Sequence, residues 1–132
     1  MKNYHIFANH AHLFPEEAKP GCGIDSLKAL MDECSIGRAV CFAPFPSQYE
    51  EYNMPGDCIS WLADAIKGDE SLVGFGTVDF DSGDIKAQVN RIADFGFRGI
   101  KLHPAYQEFN IMGDKACEVY SAAQERGLFL SF

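Results

Sequence analysis

Ile85-Lys86-Ala87-Gln88-Val89-Asn90-Arg91-Ile92-Ala93-Asp94-Phe95-Gly96-Phe97-Arg98-Gly99-Ile100-Lys101-Leu102-His103-Pro104 contains one full period of the pattern on which this chain is built. Ile85, Val89, Ile92 and Ala93 recur at helical spacing, and Ser82 or Asp84 stands ready as an N-cap. Gly96 then punctuates, because glycine tolerates the left-handed conformation that ends a helix. The apolar run Phe97 to Leu102 reads as a strand.

Three more helices follow the same rule. Leu27, Leu30, Met31 and Cys34 form one stripe after Asp25 or Ser26, and Ile59, Leu62, Ala63 and Ile66 another after Asp57. Ala116, Val119, Tyr120 and Ala123 form the last, entered from Asp114. Each stripe is closed by a glycine (Gly37, Gly68, Gly127) at a spacing of roughly 30 residues. Apolar runs come after these glycines, at Ala39-Val40-Cys41-Phe42, Leu72-Val73-Gly74-Phe75 and Leu128 to Phe132, and Tyr4 to Ala8 opens the chain. Strands alternating with helices at this period are βαβ units in a parallel sheet. The reading is four β-α units plus a fifth strand.

Such a series fits either an open doubly wound sheet or part of a (β/α)8 TIM-type barrel. A full barrel of about 250 residues has about 31 per unit, which matches the period. The last strand ends at Phe132 with no tail, where most domains carry a few residues more. The expectation is therefore an α/β fold in which residues 1–132 form the N-terminal half of a single barrel domain.

Composition narrows the function classes. A hydrophobic content of 47% over 132 residues supports a folded core. No run approaches the eighteen apolar residues of a membrane span, and Met1-Lys2-Asn3-Tyr4-His5 lacks a signal-peptide core. The 5 cysteines, Cys22, Cys34, Cys41, Cys58 and Cys117, include no Cys-x-x-Cys pair, so they read as reduced thiols of a cytoplasmic protein. A net charge of −8 argues against nucleic-acid and membrane partners and leaves a small-molecule substrate.

Three strand-to-helix connections are long: about residues 9 to 23, 44 to 56 and 104 to 113. Long loops at the carboxyl ends of parallel strands place function on that face. The second, beginning Pro44-Phe45-Pro46-Ser47-Gln48-Tyr49, could wall a pocket. His10-Ala11-His12 sits where the first strand gives way to its loop, and residues i and i+2 of an extended segment point the same way. Two imidazoles so placed are spaced to hold one divalent ion. In Gly99-Ile100-Lys101-Leu102-His103-Pro104, alternation sends Ile100 and Leu102 toward the helices and Lys101 and His103 toward the mouth. A lysine in such a place serves as an anion anchor, a salt-bridge partner or a carbamylated metal bridge. Gly74-Phe75-Gly76 lies within a strand and is no phosphate loop. Asp79 and Asp81 read as caps for the next helix, and Glu16, Glu17, Glu50 and Glu51 as solvated loop charges.

At these residues the chain resembles a family. Ile6-Phe7-Ala8-Asn9-His10-Ala11-His12-Leu13-Phe14-Pro15 is similar to the opening of the amidohydrolase superfamily, in its amidohydrolase-2 branch. Gly96 to Pro104, with Gln107 and Phe109, resembles the branch's fourth strand, and Gly127 to Phe132 its fifth. The resemblance implies a barrel hydrolase with a divalent metal, usually zinc, that activates water. His10 and His12 match the first two ligands, while Lys101 and His103 are candidates for binding substrate. The branch also contains decarboxylases, lactonases and hydratases, and a non-catalytic half-barrel assembly module is a further alternative. Ala8 stands where the family often has aspartate, which bears on the support behind the ligands. The family's fifth- and sixth-strand histidines and eighth-strand aspartate fall beyond Phe132. The chain alone is accordingly expected to be inactive and to self-associate through open strand edges.

Overall fold

The computed structural model describes residues 5–132 and contains five parallel strands in the order β1-β2-β3-β4-β5. These are β1 (Ile6–His12), β2 (Ile36–Phe42), β3 (Leu72–Gly76), β4 (Gly99–Lys101) and β5 (Phe129–Ser131). Between them run α1 (Ile24–Glu33), α2 (Pro46–Glu51), α3 (Cys58–Ala65), α4 (Ile85–Asp94) and α5 (Asp114–Arg126). Sequential parallel order with no switch point is the topology of a curled barrel wall, not of a doubly wound sheet. Of the expected first strand, Tyr4 lies outside the described residues.

The main core lies between sheet and helices. Cys41, Ile100 and Leu102 of the β2 and β4 strand runs are fully buried there with Leu62, Val89 and Val119 of the helices. Gly74 and Gly76 permit this approach. A Cβ on Gly74 would stand 2.6 Å from the Phe97 ring, and one on Gly76 2.7 Å from Ile92. The opposite, concave face carries a smaller cluster of Val40, Phe42 and Phe75. A hollow of about 1230 Å³, lined in part by Phe7, Val73 and Phe129, opens along it.

Several local expectations are corrected. Gly37 does not close α1. Ser35 takes the left-handed turn (φ 55°), and Gly37 is the extra residue where Ile6 and Phe7 pair with Ile36 and Arg38. A β-bulge favours glycine for the same steric reason a helix end does. Gly68, Gly96 and Gly127 do adopt positive φ after their helices. The α1 stripe is also less buried than its spacing suggests: Met31 is buried, whereas Leu30 and Cys34 are exposed. Asp57 and Asp84 cap α3 and α4 as expected, but Gly23 and Gly113 occupy the N-caps of α1 and α5. Glu16 is more than a solvated charge, since its carboxylate accepts the Gly21 and Gly23 N–H groups at 2.7 and 3.2 Å. Asp79 accepts the Asp81 N–H and the Ser82 hydroxyl, shaping the turn before α4 without capping it. The residue 44–56 connection contains the short helix α2, entered through Pro46, a position where a missing N–H costs nothing.

Cys41 and Cys58 are buried, and burial pushes both thiols up to about 12. All the cysteines are free. No helix among the described residues is long and apolar enough to cross a membrane.

Candidate functional site

Parallel pairing brings the carboxyl ends of all five strands to one rim. β1 reaches that rim with a change of phase. Phe7 pairs with Arg38 and Ala8 with Ala39, but the next pairs are Ala11 with Cys41 and His12 with Phe42. Three steps on β1 thus answer two on β2, which marks a bulge around Asn9 and His10. Without the extra residue, alternation from Phe7 would turn Asn9 and Ala11 to the concave face. With it, Ala8 and Ala11 both face the helices, and His10 and His12 both reach the mouth. The histidine pair thus belongs to the strand itself, not to the loop that follows it.

The two imidazoles converge, with His10 Nε2 and His12 Nε2 3.0 Å apart. Phe42 forms their floor. Its ring is fully buried, stands edge-on to His10 at 4.6 Å, and lies 5.2 Å from His12 between centroids. Burial, followed by the nearby Lys101 charge, pushes His10 below the ordinary imidazole value. Burial lowers His12 too, aided by His10, Lys101, Lys19 and His103. Both shifts favour the neutral ring, the form in which a histidine nitrogen can bind a cation.

Lys101 is only 4% exposed, and its ammonium lies 5.3 Å from the centre of the same Phe42 ring. Among the described residues it makes no ion pair. Burial lowers its pKa. Ile100 and Leu102, one residue to either side, are fully buried on the helix side. The alternation expected from Gly99 onward is therefore observed. His103, exposed on the loop after β4, stands edge-on to Phe45 and to Tyr106, with ring centroids 6.3 and 6.2 Å away.

Phe45 stacks on Tyr106 at 5.0 Å, and the Ser47 and Tyr106 hydroxyls lie 3.3 Å apart. The loop after β2 does wall a cavity. This second hollow, of about 640 Å³, lies between α2 and the loops after β3 and β4. Neither hollow is lined by His10, His12 or Lys101, which stand at the open rim. Phe42 and Tyr106 are not marked by the sequence as parts of this site, and Gln107 is presented only within the resemblance to the branch's fourth strand. Phe42 could have been, since it ends the β2 run in phase with Val40.

The donor set fits two positions around a metal ion. Two nitrogens bound to one tetrahedral or octahedral ion at about 2.0–2.1 Å stand roughly 2.9–3.4 Å apart, and the observed 3.0 Å agrees. Among the described residues no third His, Cys, Asp or Glu joins them in a metal-binding cluster.

No family model and no curated protein matches the chain. Solved structures do. A protein described as a probable 2-pyrone-4,6-dicarboxylic acid hydrolase from Acinetobacter baumannii, with citric acid bound, superposes with a TM-score of 0.65 at 13% identity. The match covers 96% of this chain and 48% of that one. A second protein of the same provisional designation, from Pseudomonas putida, gives 0.66 at 16% identity, over 98% of this chain and 48% of its own. The chain therefore spans about half the length of the structures it resembles, and its fold is the corresponding part of a TIM-type barrel.

Proposed function

We propose that these residues are the amino-terminal half of the active site of a metal-dependent hydrolase of the amidohydrolase type. The observation that carries this reading is the convergence of two imidazole nitrogens, 3.0 Å apart, beside a buried lysine that makes no ion pair among the described residues, at the carboxyl rim of a parallel sheet. His10 and His12 would hold a divalent ion, zinc in the first instance, and the remaining ligands would come from polypeptide outside these 132 residues. The bound metal would supply Lewis-acid polarisation and a nucleophilic water at neutral pH. Lys101 places a positive group on the same floor, suited to hold an anionic part of a small substrate. Phe42 offers an apolar surface beneath the imidazoles and the ammonium, and exclusion of water by a bound substrate would strengthen electrostatic contacts made over it. The hydrolase designation of the two similar structures agrees with this reading.

Calorimetric titration of the 132-residue chain with zinc tests it. One weak site is expected, because a catalytic zinc ordinarily has three protein ligands. It should vanish when His10 and His12 are both replaced by alanine. Heat that is unchanged in the double variant would refute the assignment.

A further inference from the structure

The loop after β4 makes a set of hydrogen bonds that a merely exposed histidine does not need. The Tyr106 backbone N–H donates to His103 Nδ1 at 3.2 Å. The Gln107 side chain accepts the His103 backbone N–H through Oε1 at 2.8 Å. The same side chain donates through Nε2 to the Val78 carbonyl at 2.8 Å and to the Thr77 hydroxyl at 3.2 Å. Thr77 is 3% exposed, so Gln107 ties the β4 loop to a rigid, buried point just past β3.

A backbone N–H can only donate, so Nδ1 must present its lone pair to Tyr106. In a neutral ring the proton then sits on Nε2. Among the described residues Nε2 has no hydrogen-bond partner, and it occupies the outer edge of a ring flanked by Phe45 and Tyr106. Resting on the reading of the mouth given above, we propose that His103 acts as a fixed Nε2–H donor to a carbonyl or carboxylate oxygen of the substrate, and that Gln107 is its positioning residue. With its lone pair turned into its own loop, His103 is neither a third metal ligand through Nδ1 nor a general base. Lys101 and His103 then form a pair of donors, one charged and one neutral.

Nuclear magnetic resonance on the 15N-labelled chain tests this without a substrate. A correlation transmitted across N–H···N hydrogen bonds should join the Tyr106 amide nitrogen to His103 Nδ1, and the ring proton should appear on Nε2. Gln107→Leu should abolish that cross-peak while the β3 and β4 amide signals persist. Gln107→Glu, which keeps the acceptor for the His103 N–H but loses both donors, should retain it weakened. A wild-type spectrum with Nδ1 protonated and no cross-peak would overturn the donor role. A cross-peak undiminished in Gln107→Leu would overturn the role of Gln107. Added zinc separates this inference from the metal reading. Movement of the His10 and His12 ring signals supports that reading, and their immobility refutes it. In either case the His103 coupling should survive, and its loss to zinc would contradict the donor assignment.

Discussion

On the helix side of β4, Ile100 and Leu102 are fully enclosed by apolar side chains from α4, α5 and neighbouring strands. On the concave side, one residue away along the same strand, Lys101 is almost as deeply enclosed, its ammonium lies over the Phe42 ring, and among the described residues it makes no ion pair. The first environment returns free energy for burial, at about 25 cal/mol per Å² of apolar surface. The second partly desolvates a charge that has no counter-ion among the described residues, which opposes folding. Side chains a single step apart are thus arranged by opposite criteria. A fold under selection for stability alone would have no use for the second, and this is the contrast expected if Lys101 belongs to a site.

The largest expected effect lies on the helix side. Leu102→Ala should destabilise the chain by about 2–5 kcal/mol, read as a shift in the urea midpoint, because the close-packed neighbours cannot collapse onto the vacancy. A loss below about 1 kcal/mol would mean that the helix layer is looser than described.

The ring of helices offers a smaller test. Asp57 caps α3 through the Ile59 and Ser60 N–H groups and accepts from Nη1 and Nη2 of Arg91 on α4, at 3.0 and 2.7 Å. Asp57→Ala should cost about 1 kcal/mol, mostly from the lost cap, because the ion pair is well exposed. Burial, the largest single effect, would raise the Asp57 pKa, but the Arg91 and Ser60 hydrogen bonds and the Arg91 charge together outweigh it and hold the carboxyl down at about 2. A depressed carboxylate stabilises the fold above its unfolded value, near about 4, and loses that contribution as pH falls toward about 2. The wild type should therefore lose its advantage over Asp57→Ala across that acid window. A difference that grew on acidification would contradict the assignment.

On the concave face the expected effect on stability is smallest. Lys101→Met replaces a buried lysine side chain, without an ion pair among the described residues, by an apolar chain of similar length. Stability should change by less than about 1 kcal/mol, or rise. A loss of 2 kcal/mol or more, on the scale of an ordinary core truncation, would show that Lys101 serves the scaffold and erase the contrast between the two faces.

The scaffold was the more legible of the two. Val89 and Ile92 announce their buried face by spacing, and Gly96 and Gly127 announce where their helices stop. Gly37 misleads because a bulge and a helix end both favour glycine, and composition does not distinguish them. The cap of α1 is hidden for another reason. Its orphan N–H at Gly23 is satisfied by Glu16, seven residues upstream, outside any local capping pattern. In the site, the i, i+2 spacing of His10 and His12 and the alternation around Lys101 were both readable. The bulge that turns His10 and His12 to the mouth was not, because it depends on register with β2. The Phe42 floor and the Gln107 tether likewise depend on residues brought together from separate βα units.

The division between scaffold and site is tested most directly by cobalt(II) titration combined with urea unfolding, on the wild-type chain and on His10→Ala. Cobalt(II) should give a pale spectrum with the wild type, from two imidazoles with water completing the coordination. His10→Ala should lose that spectrum while its urea midpoint stays within about 0.5 kcal/mol of wild type, as for a surface substitution. Undiminished cobalt binding by His10→Ala, or a stability loss of core size, would contradict the account.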